Sequence, residues 1–141
     1  MSRGQAHPYR LRVYFEDTDA GGMVYYANYL KFAERARTEM LRAAGFNHAE
    51  MVAKDGLMLV VRRCAADFHR SARLDDELEV ATRVTELSGA AVTLEQVIRR
   101  VEAGKAEGEI LVGLEVSVAC ITDKGRPTRL PERLRSLIAI T

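Results

Sequence analysis

Residues 16–29, EDTDAGGMVYYANY, hold the groups in this chain best spaced for chemistry at a carbonyl carbon. Asp17 and Asp19 precede Gly21 and Gly22, and glycine lets a backbone turn where a Cβ would clash. Behind them, Tyr26, Tyr29, Leu30, Ala33, Ala36, Met40, Leu41 and Ala44 fall at helical spacing. A helix N-terminus offers unpaired N–H groups and the positive end of a dipole. A carboxylate beside such donors can attack a carbonyl, or deprotonate water to do so, while the N–H groups hold the oxyanion. Asp-Thr-Asp before glycines is equally an ordinary turn, and acids near a helix start are ordinary caps. Residue types alone leave both readings open.

The elements needed to position these groups are a strand before them and a long helix after. Residues 9–15 alternate and predict the first strand, and the polar stretch 1–8 before it is expected to fray. The helix is predicted over 24–44 and stops where Gly45 supplies a C′ residue. Residues 46–54 predict a short second helix or turn, broken at Asp55-Gly56. Four strands follow: one over 57–68, one through Leu78, Val80, Thr82 and Val84, one from Val92 to Ile98, and one from Ile110 to Cys120. The polar stretch 71–76, Ser88-Gly89 and residues 102–109 separate them. Pro131 opens a short helix over 132–138. One helix against an antiparallel sheet is an α+β arrangement. With no repeat and no linker composition, residues 1–141 read as a single domain.

Charge excludes some partners. Twenty acids against 21 Lys and Arg give no field for nucleic acid or an anionic membrane surface. Cys64 and Cys120 are too far apart for a CxxC or zinc pattern, so a reduced, cytoplasmic protein is expected. No apolar signal segment is visible near the start, and the longest apolar run, 57–61, is far too short to cross a bilayer. His7, His48 and His69 lack metal-ligand spacing around Asp19, so no metal and no cofactor are expected.

Asp17-Thr18-Asp19-Ala20-Gly21-Gly22-Met23-Val24, then Asn28-Tyr29, resembles the active-site segment of hotdog-fold acyl-CoA thioesterases. It looks most like the branch of 4-hydroxybenzoyl-CoA thioesterase and the Tol–Pal-associated (YbgC-type) enzymes. The stretches KFAERARTEMLRAAG and VVRRCAADFHRSARLDDELEV look like the Tol–Pal-associated members too, so the likeness runs nearly the whole length. It implies a hotdog fold, an antiparallel sheet of about five strands wrapped around one long central helix. It implies an acyl-CoA thioesterase that releases a carboxylic acid and free coenzyme A, with acyl carrier protein as the other conceivable thioester carrier.

Carried over residue by residue, the resemblance makes Asp19 the catalytic carboxylate and Asp17 a supporting acid. It makes the backbone N–H at Tyr26 the oxyanion donor, with Gly22 lining the approach. Tyr25 is placed at the acyl pocket, and Asn28 orients substrate or caps the helix. The family assembles as dimers or dimers of dimers (homotetramers), which implies that a neighbour contributes Val61, Arg62 and Arg63 to the site. Arg62-Arg63 and the cluster His69, Arg70 and Arg73 could meet coenzyme A phosphates, since guanidinium suits phosphate geometry. Two departures stand out. Tyr26 replaces the His usual in Tol–Pal-associated members, and Ser88-Gly89-Ala90-Ala91 lacks the basic residue that relatives often carry before their fourth strand.

Two other classes compete. A hotdog hydratase or dehydratase would pair a His with its acid, and no His lies in the loop or early helix. A non-catalytic acyl-carrier or partner-binding module would keep Asp19 only for its turn. Glu34 on the helix is the second carboxylate to weigh, because another hotdog branch uses a helix Glu; ERARTE otherwise reads as a solvated face of i,i+3 and i,i+4 charge pairs.

Overall fold

The computed structural model describes residues 5–140. Strand β1 (His7–Arg12) leads through a 3-10 turn (Phe15–Asp17) to helix α1 (Asn28–Ala43) and the shorter α2 (His48–Asp55). Strands β2 (Leu57–Phe68), β3 (Glu77–Leu87), β4 (Ala91–Arg100) and β5 (Ile110–Thr122) follow, and α3 (Glu132–Ile140) closes the chain. All five strands form one antiparallel sheet in the order β1-β3-β4-β5-β2. Strand β2, twelve residues long, is therefore an edge.

Helix α1 buries Tyr29, Phe32, Ala33, Ala36, Met40 and Leu41. They join one core with Leu78 and Val80 of β3, Leu94 and Ile98 of β4, and Leu114 and Val116 of β5. Full burial of a side chain such as Phe32 stabilises the fold by about 2–3 kcal/mol. Two fully buried polar side chains, Thr82 and Gln96, sit inside that interface. Gln96 donates from Nε2 to Ala33 O and Thr82 Oγ1, both at 2.9 Å, and its Oε1 accepts from Arg37 at 3.0 Å. With its partners in place, this amide ties the middle of α1 to β3 and β4.

Several expectations change. The first strand begins at His7 and ends at Arg12, so residues 7 and 8 pair with β3; residues 1–4 of the expected frayed end lie outside the described residues. Phe15 is 81% exposed in the 3-10 turn instead of continuing the alternation. Helix α1 starts at Asn28, not near Val24, because Val24 is still bridged to Thr18 and Tyr25 N–H is tied to Asp17 O at 3.0 Å. The buried stripe consequently omits Tyr26 and Leu30, both exposed, and includes Phe32. Among the described residues there are three helices, of which α1 is the longest. Gly45 does end α1 in the left-handed region (φ 89°), with Phe46 N–H returning to Leu41 O at 2.9 Å.

Candidate active site

The segment between β1 and α1 folds back on itself through short-range hydrogen bonds. Asp17 caps the 3-10 turn, its Oδ2 accepting Tyr14 N–H at 2.9 Å. The chain then makes a tight hairpin in which Thr18 pairs with Val24 and Asp19 N–H donates to Met23 O at 2.8 Å. Gly22 sits at its tip with φ 79°, the left-handed conformation that glycine adopts without strain. Inside this hairpin Asp19 Oδ1 accepts Gly21 N–H at 2.9 Å and Met23 N–H at 3.4 Å. Asp19 Oδ2 has no hydrogen-bond partner among the described residues, and the side chain is exposed.

Two donors stay open in the residues that lead into α1. Ala27, the residue before the helix, is in helical conformation and gives no side-chain cap. Asn28, Tyr29 and Leu30 N–H groups donate to Tyr25, Tyr26 and Ala27 carbonyls, while the N–H groups of Tyr26 and Ala27 make no hydrogen bond among the described residues. An uncapped first turn beside an exposed carboxylate is the arrangement that oxyanion stabilisation needs.

Asn28 neither caps α1 nor is free at its amide nitrogen. Its Nδ2 donates to Asp17 O at 2.8 Å, so it clamps the helix start to the acid-bearing turn.

The loop after β2 braces the same segment, a role the sequence reading did not give it. Val24 N–H donates to Ala72 O at 2.9 Å, Leu74 N–H to Gly22 O at 3.2 Å, and Ala72 N–H to the Tyr29 hydroxyl at 2.9 Å. Burial pushes the Tyr29 phenol above its usual range, only partly offset by the Ala72 hydrogen bond. The loop is itself pinned by Arg100, which reaches Asp76 at 3.1 Å, Glu109 at 2.5 Å and Ser71 O at 2.8 Å. Burial works against that guanidinium charge, but Asp76 and Glu109 outweigh it and raise its pKa.

An aromatic group borders the helix start. The Tyr26 ring meets Phe68 edge-on at 6.0 Å and Tyr25 at 5.0 Å, and Phe68 also contacts Tyr29 at 5.9 Å. Phe68 was not foreseen as a neighbour of the site. The signal was the inward alternation of β2, which repeats at Ala66 and Phe68 against Leu114 and Val112.

Hydrogen bonds thus join Asp19 and Gly22 within one hairpin and hold Tyr25 and Asn28 to Asp17 at its base, with the Tyr26 ring against Tyr25. Val61, Arg62 and Arg63 of the same chain do not join them. Phe68 marks the end of β2 that meets the site, and Val61 lies seven residues back, about 23 Å along a strand. Arg62 sits at a bulge, donating to Ser117 Oγ at 3.0 Å on the sheet face turned away from α1. Glu34, the second candidate carboxylate, accepts Thr38 Oγ1 at 2.6 Å farther along α1. Among the described residues no three of His, Cys, Asp and Glu converge as a metal site would require. No helix among them is long and apolar enough to cross a membrane.

Residues 13–138 match the family model described as the thioesterase-like superfamily. The acyl-CoA thioester hydrolase YbgC of Escherichia coli O6:H1 is 42% identical over 125 residues, 88% of this chain and 89% of the relative. A Bartonella henselae crystal structure, described as a probable thioesterase, superposes with TM-score 0.81 at 40% identity, over 89% of this chain and 99% of the other. A 4-hydroxybenzoyl-CoA thioesterase mutant crystallised with 4-hydroxybenzoyl-CoA shares the fold, with TM-score 0.87 at 20% identity over 94% and 98% of the two chains.

Proposed function

The chain belongs to the thioesterase-like superfamily, and we propose that it hydrolyses acyl-CoA thioesters at Asp19. The observation that carries this reading is the exposed Asp19 carboxylate, anchored through Oδ1 by its own hairpin with Oδ2 unengaged, next to an uncapped helix start. A thioester carbonyl seated there would place its oxygen on the N–H of Tyr26, with Ala27 N–H as a second donor. A preorganised donor of this kind lowers the barrier by about 3 kcal/mol.

Asp19 then has two routes. As general base, Oδ2 takes a proton from water while the water oxygen bonds to the acyl carbon. The tetrahedral oxyanion collapses, the C–S bond breaks, and coenzyme A leaves as thiolate and gains a proton. As nucleophile, Oδ2 itself bonds to the acyl carbon and expels the thiolate, and water hydrolyses the resulting anhydride. Both routes yield the carboxylic acid and free coenzyme A, and both use the same oxyanion donors.

A second copy would complete the site. Strand β2 is a long edge without Pro or Lys, and its helix-side residues stay open: Val61 is 47% and Phe68 48% exposed. The bulge at Arg62 interrupts this edge only at its middle, and the unpaired N–H and C=O groups on either side are templates for pairing. Pairing β2 with a partner's β2 about a two-fold axis sets the two α1 helices antiparallel. The N-terminal end of one helix then faces the C-terminal half of the other. Asn28 and Arg37 are about 14 Å apart along α1, so the Arg37 end of one helix would stand opposite the helix start of the other.

Turnover of a panel of acyl-CoAs, from short and long aliphatic to aryl, tests the activity. Release of free thiol from at least one class is expected, and a chain inert on all of them would favour a binding module instead.

A further inference from the structure

A cavity of about 260 Å³ lies under the C-terminal half of α1. Leu59, Val61, Val92, Leu94 and Val118 from the sheet make it apolar. It equals roughly nine liquid-water volumes at about 30 Å³ each, room for a chain of several methylenes. Arg37 belongs to the same wall. Its only hydrogen bond among the described residues runs from Nη1 to Gln96 Oε1 at 3.0 Å, and it makes no ion pair there. The other titratable groups around it are Glu34 and His48, which line the cavity, and Cys64 on β2. Glu34 is engaged by Thr38 and makes no ion pair with Arg37. Burial depresses the guanidinium's pKa, and Glu34 and Cys64 draw it back up.

A half-buried guanidinium resting on a neutral amide is under-compensated. Desolvation has weakened its hydration, and Glu34, the acid whose charge acts on it, is engaged by Thr38 and not ion-paired with it. Its planar fork suits a carboxylate, which it can hold through two parallel N–H···O bonds. The surrounding wall suits a hydrocarbon. We propose that this cavity receives a carboxylate carried on a short apolar chain, with the carboxylate on the edge of Arg37 that Gln96 leaves unused. The proposal rests on the thioesterase reading for the origin of the ligand. The carboxylate is either the distal group of a dicarboxylic acyl thioester or the acid released by hydrolysis.

Calorimetric titration of the full chain with hexanoate and with hexanol tests the site without turnover. Hexanoate is expected to bind and hexanol not to. Arg37→Gln should weaken hexanoate binding about tenfold to a hundredfold. Arg37→Lys should restore part of it. Val118→Phe, which leaves the charge alone and narrows the cavity, should abolish it, so the outcome does not hang on whether Arg37→Gln folds.

The kcat/KM ratio of adipoyl-CoA to hexanoyl-CoA separates the two sources. A ratio well above one that collapses in Arg37→Gln puts the carboxylate on the acyl group. A ratio near one, with hexanoate competing against hexanoyl-CoA, makes it the released acid. Hexanoate bound no better than hexanol, or bound equally by wild type and all variants, overturns the proposal. Arg37-dependent binding with no thioester hydrolysed would keep the site and sink the thioesterase reading.

Discussion

The Asp19 carboxylate and the Gly21 amide stand 2.9 Å apart, and that contact decides which oxygen is available. With Met23 N–H also on Oδ1, the side chain is oriented by its own loop and Oδ2 is the free atom. The acid therefore needs no neighbouring histidine to place it, which fits Tyr26 standing where the Tol–Pal-associated pattern has His.

The same hairpin makes Gly22 sensitive. A Cβ there meets nothing within 4 Å, so the cost of Gly22→Ala is the left-handed backbone (φ 79°) alone, about 1 kcal/mol. Thermal melting should fall by only a few degrees, while kcat/KM falls about tenfold or more as the Oδ1 anchors shift. A variant with unchanged kcat/KM would show that hairpin geometry does not govern the reaction.

Asn28→Ala removes the bond from Nδ2 to Asp17 O and frees the helix start from the turn. A loss of about 1 kcal/mol in urea denaturation is expected. Turnover should drop further than that stability loss explains, through kcat and not KM, because the oxyanion donors move relative to Asp19. Equal activity in the variant would make the clamp purely structural.

Gln96→Leu strips partners from Ala33 O, Thr82 and Arg37 together. Leaving such groups buried and unpaired should cost about 3 kcal/mol, read as a lower urea midpoint with an unchanged slope. A stability within a few tenths of wild type would mean that water replaces the amide.

Strand pairing is tested by Val61→Glu. Wild type is expected to scatter light as a dimer or larger assembly, and the variant to shift toward monomer and lose turnover in step. A monomeric variant with full activity would contradict a site shared across β2.

Much of this was legible locally. The alternation from Ile110 to Cys120 and the Gly45 stop depend on period and on one backbone conformation, and both appear as expected. The cluster of acids and glycines was ambiguous on residue types, since it also makes an ordinary turn, and became the candidate site only through the resemblance to hotdog thioesterases. What escaped depends on contacts distant in sequence. Helix α1 starts late because Thr18 and Asp17 hold Val24 and Tyr25 in a bridge, which helical spacing cannot report. The meeting of Phe68 with Tyr26, and the brace from Ala72 and Leu74, depend on how the end of β2 and the loop after it fold back against the helix start. The bulge that turns Arg62 to the far face of the sheet was likewise invisible, because it depends on how β2 registers against β5.

The most direct measurement is single-turnover hydrolysis by wild type and Asp19→Asn on the best acyl-CoA of the panel. Asn keeps an oxygen to accept from Gly21 and Met23, so circular dichroism and melting should match wild type. The account predicts a rate lower by about three orders of magnitude or more in that folded variant. A rate within a few-fold of wild type would contradict it and move the chemistry to another carboxylate, with Glu34 the first to replace.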